Sequence, residues 1–285
     1  MPDGPIAAVS AGWQERESET DELNDVLGGR MRNLELYRRW QQLITADPDY
    51  RAAERRLHEQ LDEQQELYAL RLGPALAAIE AVGRRNRVPK LRVEAEADAL
   101  RTLQDLDHWH LRRAGAIRTS FYAGIAIGER PSMARQRVEL AALVDECAGM
   151  IITGGHVGVL LQLLHVFGLA ALIKPPVITW SAGAMALSER VVLFHAHGPP
   201  GRRRPEVFAE GLGAYSGVLP FPHPRHRLRL TEPEKMKTLA RRFAPRRCLL
   251  LTDGVRVDLR DGQPLPAGAR WINPDGIVVS VGTDG

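Results

Sequence analysis

The chain has 285 residues, of which 44% are hydrophobic and 26% are charged, and its formal net charge is +3. This composition is that of an ordinary globular protein of one large or two modest domains. Its charges are of mixed sign, no apolar run reaches the length of a membrane span, and the N-terminus lacks the pattern of a signal peptide. We therefore expect a cytoplasmic protein that binds neither nucleic acid nor membrane.

The first third of the chain predicts helices rather than a sheet. Residues 1–30 are polar and rich in acidic side chains, and we expect them to be disordered or loosely helical. In residues 31–112, leucines recur at helical spacing among glutamates and arginines, which predicts an all-helical region. Because a stripe of leucines needs a partner surface, we expect a homo-oligomer that forms through residues 31–112. The stripe consists of Leu57, Leu61, Leu67 and Leu70.

Residues 113–285 predict an α/β domain. Glycines become frequent there, and short apolar runs alternate with helical ones, as in a mostly parallel sheet with flanking helices. The Asp253-Gly254 pair between two apolar runs predicts a hairpin formed by residues 248–252 and 255–259. The other predicted strands are 117–123, 150–153, 177–180, 191–194, 218–221 and 276–281.

A nucleophile elbow is the main chemical signal in this domain. The short apolar strand Val177–Trp180 ends at Ser181, and small residues open a helix behind it. Such a turn lifts the serine hydroxyl out of the sheet edge, and the helix N-terminus offers N–H groups to an oxyanion. Thr179 stands where the usual elbow has glycine. An ordinary helix cap at Ser181 is therefore the alternative interpretation.

Three segments, taken in order and spacing, go beyond a generic α/β pattern. They are Ile151–His156, Thr179–Ala184 and Val218–His223. Together they resemble the dipeptidase E and cyanophycinase family of serine peptidases over about residues 117–285. The resemblance implies a class I glutamine amidotransferase-like fold and a reaction without a cofactor. The Gly-rich opening strand of that fold is not visible in the sequence, so we expect a sheet trimmed at one edge.

The resemblance also implies roles for particular residues. Ser181 would be the nucleophile, and His223 would be the general base that takes its proton and returns it to the leaving amine. The backbone N–H groups of Gly155 and Ala182 would form the oxyanion hole. His226, three residues beyond His223, is an alternative base.

The third member of a triad is not evident. The family has an acid soon after the strand that follows the elbow helix, whereas residues 194–198 of this chain contain no carboxylate. The remaining candidates are Glu206, Glu210 and Asp253. A metal site that combines His195 and His197 with His223 is disfavoured, because no carboxylate or cysteine completes the ligand set.

Two functions remain as hypotheses. The first is a serine hydrolase of the peptidase type, which cleaves a short or unusual peptide or isopeptide bond through an acyl-enzyme. The alternative is a non-catalytic binding or scaffold protein that keeps the fold, which the missing acid favours. A glutamine amidotransferase is disfavoured because those enzymes have cysteine at the elbow, where this chain has Ser181.

Overall fold

The computed structural model of the chain describes residues 3–85, 87–194, 204–260 and 262–282. The chain is an α/β protein, as predicted, and it divides into two compact units. Unit 1 consists of Met1–Leu57 and Thr119–Leu187, and unit 2 consists of His58–Arg118 and Ser188–Gly285. These boundaries differ from the predicted ones, because each unit combines an early segment of the chain with a late one.

Unit 1 contains a four-stranded parallel sheet. Its strands are β1 (Ile6–Val9), β2 (Met31–Asn33), β3 (Gly149–Ile152) and β4 (Val177–Thr179), in the order β2-β1-β3-β4. All four residues of β1 are fully buried. A short apolar run that is buried on both faces is what a central parallel strand requires.

A buried carboxylate holds the start of one helix of unit 1, α2 (Leu36–Ala46). The Glu17 carboxylate accepts hydrogen bonds from the backbone N–H groups of Tyr37 (3.0 Å) and Arg38 (2.9 Å), at the start of α2. Burial raises the pKa of Glu17, against the effect of these bonds. The helices are α1 (Asp21–Val26), α2 (Leu36–Ala46), α5 (Pro131–Asp145), α6 (Val157–Val166) and α7 (Ala182–Leu187).

Two long helices, α3 (Pro48–Gly83) and α4 (Pro89–Ile125), have most of their residues in unit 2. The strands of unit 2 form an antiparallel pair and a four-stranded sheet in the order β10-β9-β8-β7. The pair is β5 (Arg190–Leu193) with β6 (Glu206–Glu210), and the sheet contains β7 (Val218–Pro222), β8 (Arg247–Leu251), β9 (Arg270–Ile272) and β10 (Val278–Ser280). Only β7 and β8 pair in parallel in this sheet. The remaining helices are α8 (Pro224–Arg227) and α9 (Pro233–Phe243).

A buried ion pair lies in the core of unit 2. The Arg242 guanidinium of α9 donates to both Asp107 carboxylate oxygens of α4 at 2.7 Å, and both side chains are 1% exposed. Tyr68 of α3 donates its hydroxyl hydrogen to Asp107 at 2.8 Å and accepts from Arg242 at 2.6 Å. His110 stacks on Tyr68 with ring centroids 4.4 Å apart. The core of unit 2 therefore includes fully paired charges.

Several predicted elements are corrected by the structure. Residues 1–30 are not disordered, since they contain β1, a 3-10 helix at Ala11–Arg16 and α1, and the N-terminal third is not all helical. Residues 117–123 are the end of α4 rather than a strand. Their β-branched and aromatic residues favour a strand locally, but α4 carries a buried stripe up to Ala114, and the helix continues past it. The hairpin of residues 248–259 is also wrong, because β8 pairs with β7 and β9.

The expected leucine stripe is only partly buried. Leu57 is buried, whereas Leu67 and Leu70 are 43% and 73% exposed. The buried side of α3 instead includes Tyr50, Glu54, Leu57, Gln64, Tyr68 and Leu72, which recur at helical spacing.

Within the described ranges, no helix has the length and apolar character needed to cross a lipid bilayer.

Candidate active site

Ser181 lies in a strained turn between β4 and α7. Its φ angle is 49°, in the left-handed region that side chains other than glycine rarely adopt. Such a conformation costs about 1–3 kcal/mol and persists only where its surroundings enforce it. The strand, the serine and the helix follow one another as predicted, and Thr179 occupies the position where the usual nucleophile elbow has glycine.

Close backbone contacts enforce this turn. A Cβ atom on Gly183 would lie 2.3 Å from the carbonyl oxygen of Ile152 and 2.7 Å from that of Thr153. A Cβ atom on Gly154 would lie 3.0 Å from Ser181 Cβ and 3.4 Å from Ser181 Oγ. The turn after β3 thus packs directly against Ser181: a Cβ atom on Gly183 would clash with the backbone, and one on Gly154 would be tight against the Ser181 side chain.

The turn after β1 completes this edge of the sheet. Gly155 has a φ of 106°, and a Cβ atom there would lie 2.2 Å from the carbonyl oxygen of Gly12. The backbone N–H of His156 donates to the same oxygen at 2.7 Å. The expectation of a sheet trimmed at one edge rests on the lack of a visible opening strand. The structure contains an unpredicted strand, β1, which pairs with β3 and is followed by the small-residue turn Ser10-Ala11-Gly12.

The predicted oxyanion-hole residues lie on the two turns beside Ser181. Gly155 follows β3, and Ala182 is the first residue of α7. Neither backbone N–H donates a hydrogen bond to an acceptor within the described part of the chain. Unpaired N–H groups at such turns are suited to bind a developing negative charge.

His223 and Asp253 come together in unit 2. His223 follows β7, with a φ of 52°, and its N–H donates to Leu251 at the end of β8 with an N–O distance of 3.0 Å. Since β7 and β8 are parallel, the residues after both strands lie at the same edge. His223 Nδ1 is 2.8 Å from Asp253 Oδ1, and the two side chains are 41% and 73% exposed.

Asp253 is therefore the candidate acid that the structure brings to His223. Glu206 and Glu210 lie on β6, where Glu206 Oε2 is 3.4 Å from Gln65 Nε2 and Glu210 stands opposite Arg190 in the strand pair. The sequence indicated Asp253 only as one candidate of three, because the parallel pairing of β7 with β8 was not predicted.

A shallow pocket of about 130 Å³ adjoins the His223–Asp253 pair. His226 lies on α8, the short helix that follows His223, and it also lines the pocket. Its backbone N–H donates to the carbonyl oxygen of His223 at 3.1 Å. The lining residues are His223, Pro224, Arg225, His226, Thr252 and Asp253. The pocket is polar, and its lining includes both a guanidinium, that of Arg225, and a carboxylate, that of Asp253.

The two halves of the predicted machinery belong to different units. Ser181, Gly155 and Ala182 are in unit 1, and His223 and Asp253 are in unit 2. His195 and His197, two of the three histidines of the disfavoured metal site, lie outside the described residues. Elsewhere in the described ranges, no cluster of three or more His, Cys, Asp or Glu side chains could hold a metal ion.

The chain matches no protein-family model, and comparisons with curated proteins and with solved structures find no similar protein. The resemblance to dipeptidase E and cyanophycinase remains a prediction from three segments.

Proposed function

We propose that this chain is a serine hydrolase of the peptidase type, with Ser181 as its nucleophile. The observation that carries the proposal is the left-handed backbone of Ser181, at a φ of 49°, between a parallel strand and a helix N-terminus. N-cap residues usually have β-region backbone angles, but Glu35 before α2 and His223 before α8 share the left-handed φ. The hydroxyl of Ser181 is what makes this turn suited to a nucleophile. The substrate in this proposal is a short or unusual peptide or isopeptide.

The proposed base is His223, oriented by Asp253. With its Nδ1–H donated to Asp253 Oδ1 over 2.8 Å, the imidazole is the tautomer whose Nε2 accepts a proton. Ser181 Oγ attacks the carbonyl carbon, its proton passes to Nε2 of His223, and the C–N bond breaks as that proton reaches the leaving amine. Water then hydrolyses the acyl-enzyme by the same proton transfers in reverse.

The proposed oxyanion hole uses the N–H groups of Gly155 and Ala182. Their lack of an acceptor in the described chain supports this role. Losing one such donor in a serine protease lowers the rate by about 10²–10³-fold. Two N–H groups already oriented toward the oxyanion would therefore supply a large part of the expected catalysis. Side chains and backbone groups of this chain, together with one water molecule, carry out every step of the proposed reaction.

We also propose that the fold is class I glutamine amidotransferase-like. Three small-residue turns at the carboxyl edge of parallel strands, after β1, β3 and β4, support this interpretation. Sites of α/β proteins lie at that edge. The supporting strand β1 belongs to the segment that the resemblance did not cover.

A fluorophosphonate probe tests the proposal. The wild-type protein should be labelled at Ser181, and Ser181→Ala should abolish labelling, whereas Ser132→Ala, on α5 of the same unit, should not. Asp253→Asn should slow labelling by about a hundredfold or more, since removing the orienting acid of a triad costs orders of magnitude. Glu210→Gln is its matched control and should label at the wild-type rate.

The alternative, a non-catalytic binding or scaffold protein, predicts the opposite result. A folded wild-type protein that no fluorophosphonate labels would overturn the hydrolase proposal and leave the scaffold hypothesis. Labelling that survives His223→Ala but is lost in His226→Ala would keep the hydrolase and move the base to the alternative histidine.

A further inference from the structure

Trp180, the residue directly before Ser181, is unusually exposed. Its relative exposure is 37%, the highest of any Phe, Tyr or Trp side chain in the described ranges. An indole gains more from burial than almost any other side chain, so its exposure does not contribute to the stability of the fold. A function at this position explains the exposure better than packing does.

The indole edge and the nucleophile flank the same point in space. A carbon atom placed at the ideal Cβ position of Gly154 would lie 3.4 Å from Ser181 Oγ and 3.6 Å from Trp180 Cδ1. Both atoms therefore lie on the side of Gly154 toward which a side chain would point. A substrate group bonded to the carbonyl carbon that Oγ attacks therefore has the indole within its reach.

A second apolar side chain extends this surface. Ile178 is 45% exposed and lies two residues before Trp180, so the two side chains leave the extended chain on the same face. β4 is the last strand in the order of its sheet, and β3 is the neighbour with which it pairs. The face is thus an exposed apolar surface that leads to the reacting hydroxyl.

We propose that Trp180, with Ile178, forms an apolar subsite for the substrate group on the acyl side of the scissile bond. The subsite selects an aromatic or large aliphatic group there. This inference rests on the proposed serine hydrolase function and adds its substrate class.

A pair of sulfonyl fluorides tests the subsite without knowledge of the natural substrate. Ser181 Oγ attacks sulfur, the O–S bond forms, fluoride leaves with the S–F electron pair, and the hydroxyl proton passes to the base. Phenylmethanesulfonyl fluoride presents a benzyl group at the acyl-side position, and methanesulfonyl fluoride presents a methyl group. The measurement is the ratio of their second-order rate constants for modification of Ser181, followed by intact mass.

The wild-type protein should prefer the benzyl reagent. Trp180→Ala should lower the benzyl-to-methyl ratio by about tenfold, the effect expected when an aromatic contact is lost from a hydrophobic subsite. Trp180→Phe should keep most of the preference, and Ile178→Ala should lower it less than Trp180→Ala does. Val138→Ala, at a 71% exposed apolar position of the same unit, should leave the ratio unchanged.

The failure of the subsite and the failure of the hydrolase give different results. If both reagents modify Ser181 and the ratio is the same in Trp180→Ala, Trp180→Phe and the wild type, the subsite is refuted and the hydrolase stands. If neither reagent modifies Ser181 in the folded wild-type protein, both proposals fall. Because the readout is a ratio within one variant, partial unfolding of a variant affects both rates and does not mimic loss of preference.

Discussion

Unit 1 and unit 2 each hold part of the proposed machinery, and they hold it by different means. Ser181 of unit 1 lies in a closely packed turn, since a Cβ atom on Gly183 would lie 2.3 Å from the carbonyl oxygen of Ile152. His223 of unit 2 is fixed by two hydrogen bonds, one to Leu251 and one to Asp253, which is 73% exposed. The difference indicates that the position of Ser181 depends on backbone packing, whereas that of His223 depends on hydrogen bonds at the surface.

The two cores show the same contrast. In unit 1, buried Glu54 accepts hydrogen bonds from the neutral donors Trp40, Tyr50 and Gln162. In unit 2, the buried carboxylate of Asp107 is paired with the buried guanidinium of Arg242. Unit 1 therefore satisfies its buried charge with neutral groups, and unit 2 satisfies it with an opposite charge.

The largest expected effect comes from breaking the ion pair of unit 2. Arg242→Met leaves Asp107 buried without its opposite charge, and such a change costs about 3–5 kcal/mol. Urea denaturation should show a free energy of unfolding that is lower by this amount. Arg241→Met, at the neighbouring residue, removes a 40% exposed side chain and should cost less than about 1 kcal/mol. Equal costs for the two variants would contradict the contrast between the cores.

The next largest effect tests the close approach of the β1 and β3 turns in unit 1. Gly155→Ala adds a Cβ atom 2.2 Å from the Gly12 carbonyl oxygen at a φ of 106°. A clash of this kind costs about 1–3 kcal/mol, and the backbone strain adds to it. Gly28→Ala is the control: the φ of Gly28 is also positive, at 65°, but no atom lies within 4 Å of the added Cβ. This variant should lose only about 1–2 kcal/mol, the cost of the left-handed conformation itself.

A thermal melt compares the two glycine variants. If Gly28→Ala lowers the melting temperature as much as Gly155→Ala does, then the left-handed backbone alone accounts for the loss. The close approach of the β1 and β3 turns would then not be what holds the edge of the sheet.

A smaller effect concerns pH, and it tests unit 2 alone. Burial lowers the pKa of His110 below its ordinary value of 6.5, nearby Arg118 acts in the same direction, and the hydrogen bond to Phe208 and the charge of Asp107 oppose it. Below pH 6.5 the unfolded chain binds a proton that the folded chain resists, so stability falls as the pH falls from 6.5 toward the lowered pKa. The melting temperature of the wild type should therefore fall as the pH is lowered from neutral through this range. In His110→Gln it should fall less.

The matched control for the pH measurement lies on the same helix. His108 is exposed, and His108→Gln should keep the wild-type slope of melting temperature against pH. A slope that His110→Gln leaves unchanged would show that other groups titrate in this window.

The smallest effect on folding is expected at the exposed leucines of α3. We propose that Leu67 and Leu70, at 43% and 73% exposure, contribute to the homo-oligomer expected from residues 31–112. The Leu67→Glu, Leu70→Glu double variant should be monomeric in light scattering, with little change in melting temperature. Val138→Glu of unit 1 should remain oligomeric. A wild-type chain that is monomeric at micromolar concentration would rule out this interface.

The sequence alone determined the local parts of the site. A strand followed by Ser181 and small residues, a strand followed by Gly154-Gly155, and a strand followed by His223 are all present in the structure at those places. These signals are readable because turns and helix starts depend on a few consecutive residues, whose backbone and capping preferences are strong.

Only the tertiary structure decided the features that depend on distant pairing. β1 is four apolar residues within a polar segment, and its burial follows from parallel pairing with β3, more than 140 residues later. The assignment of Asp253 to His223 follows from the parallel pairing of β7 with β8, where the sequence predicted a local hairpin. Short strands carry little periodicity of their own, so their partners are set by the sheet around them.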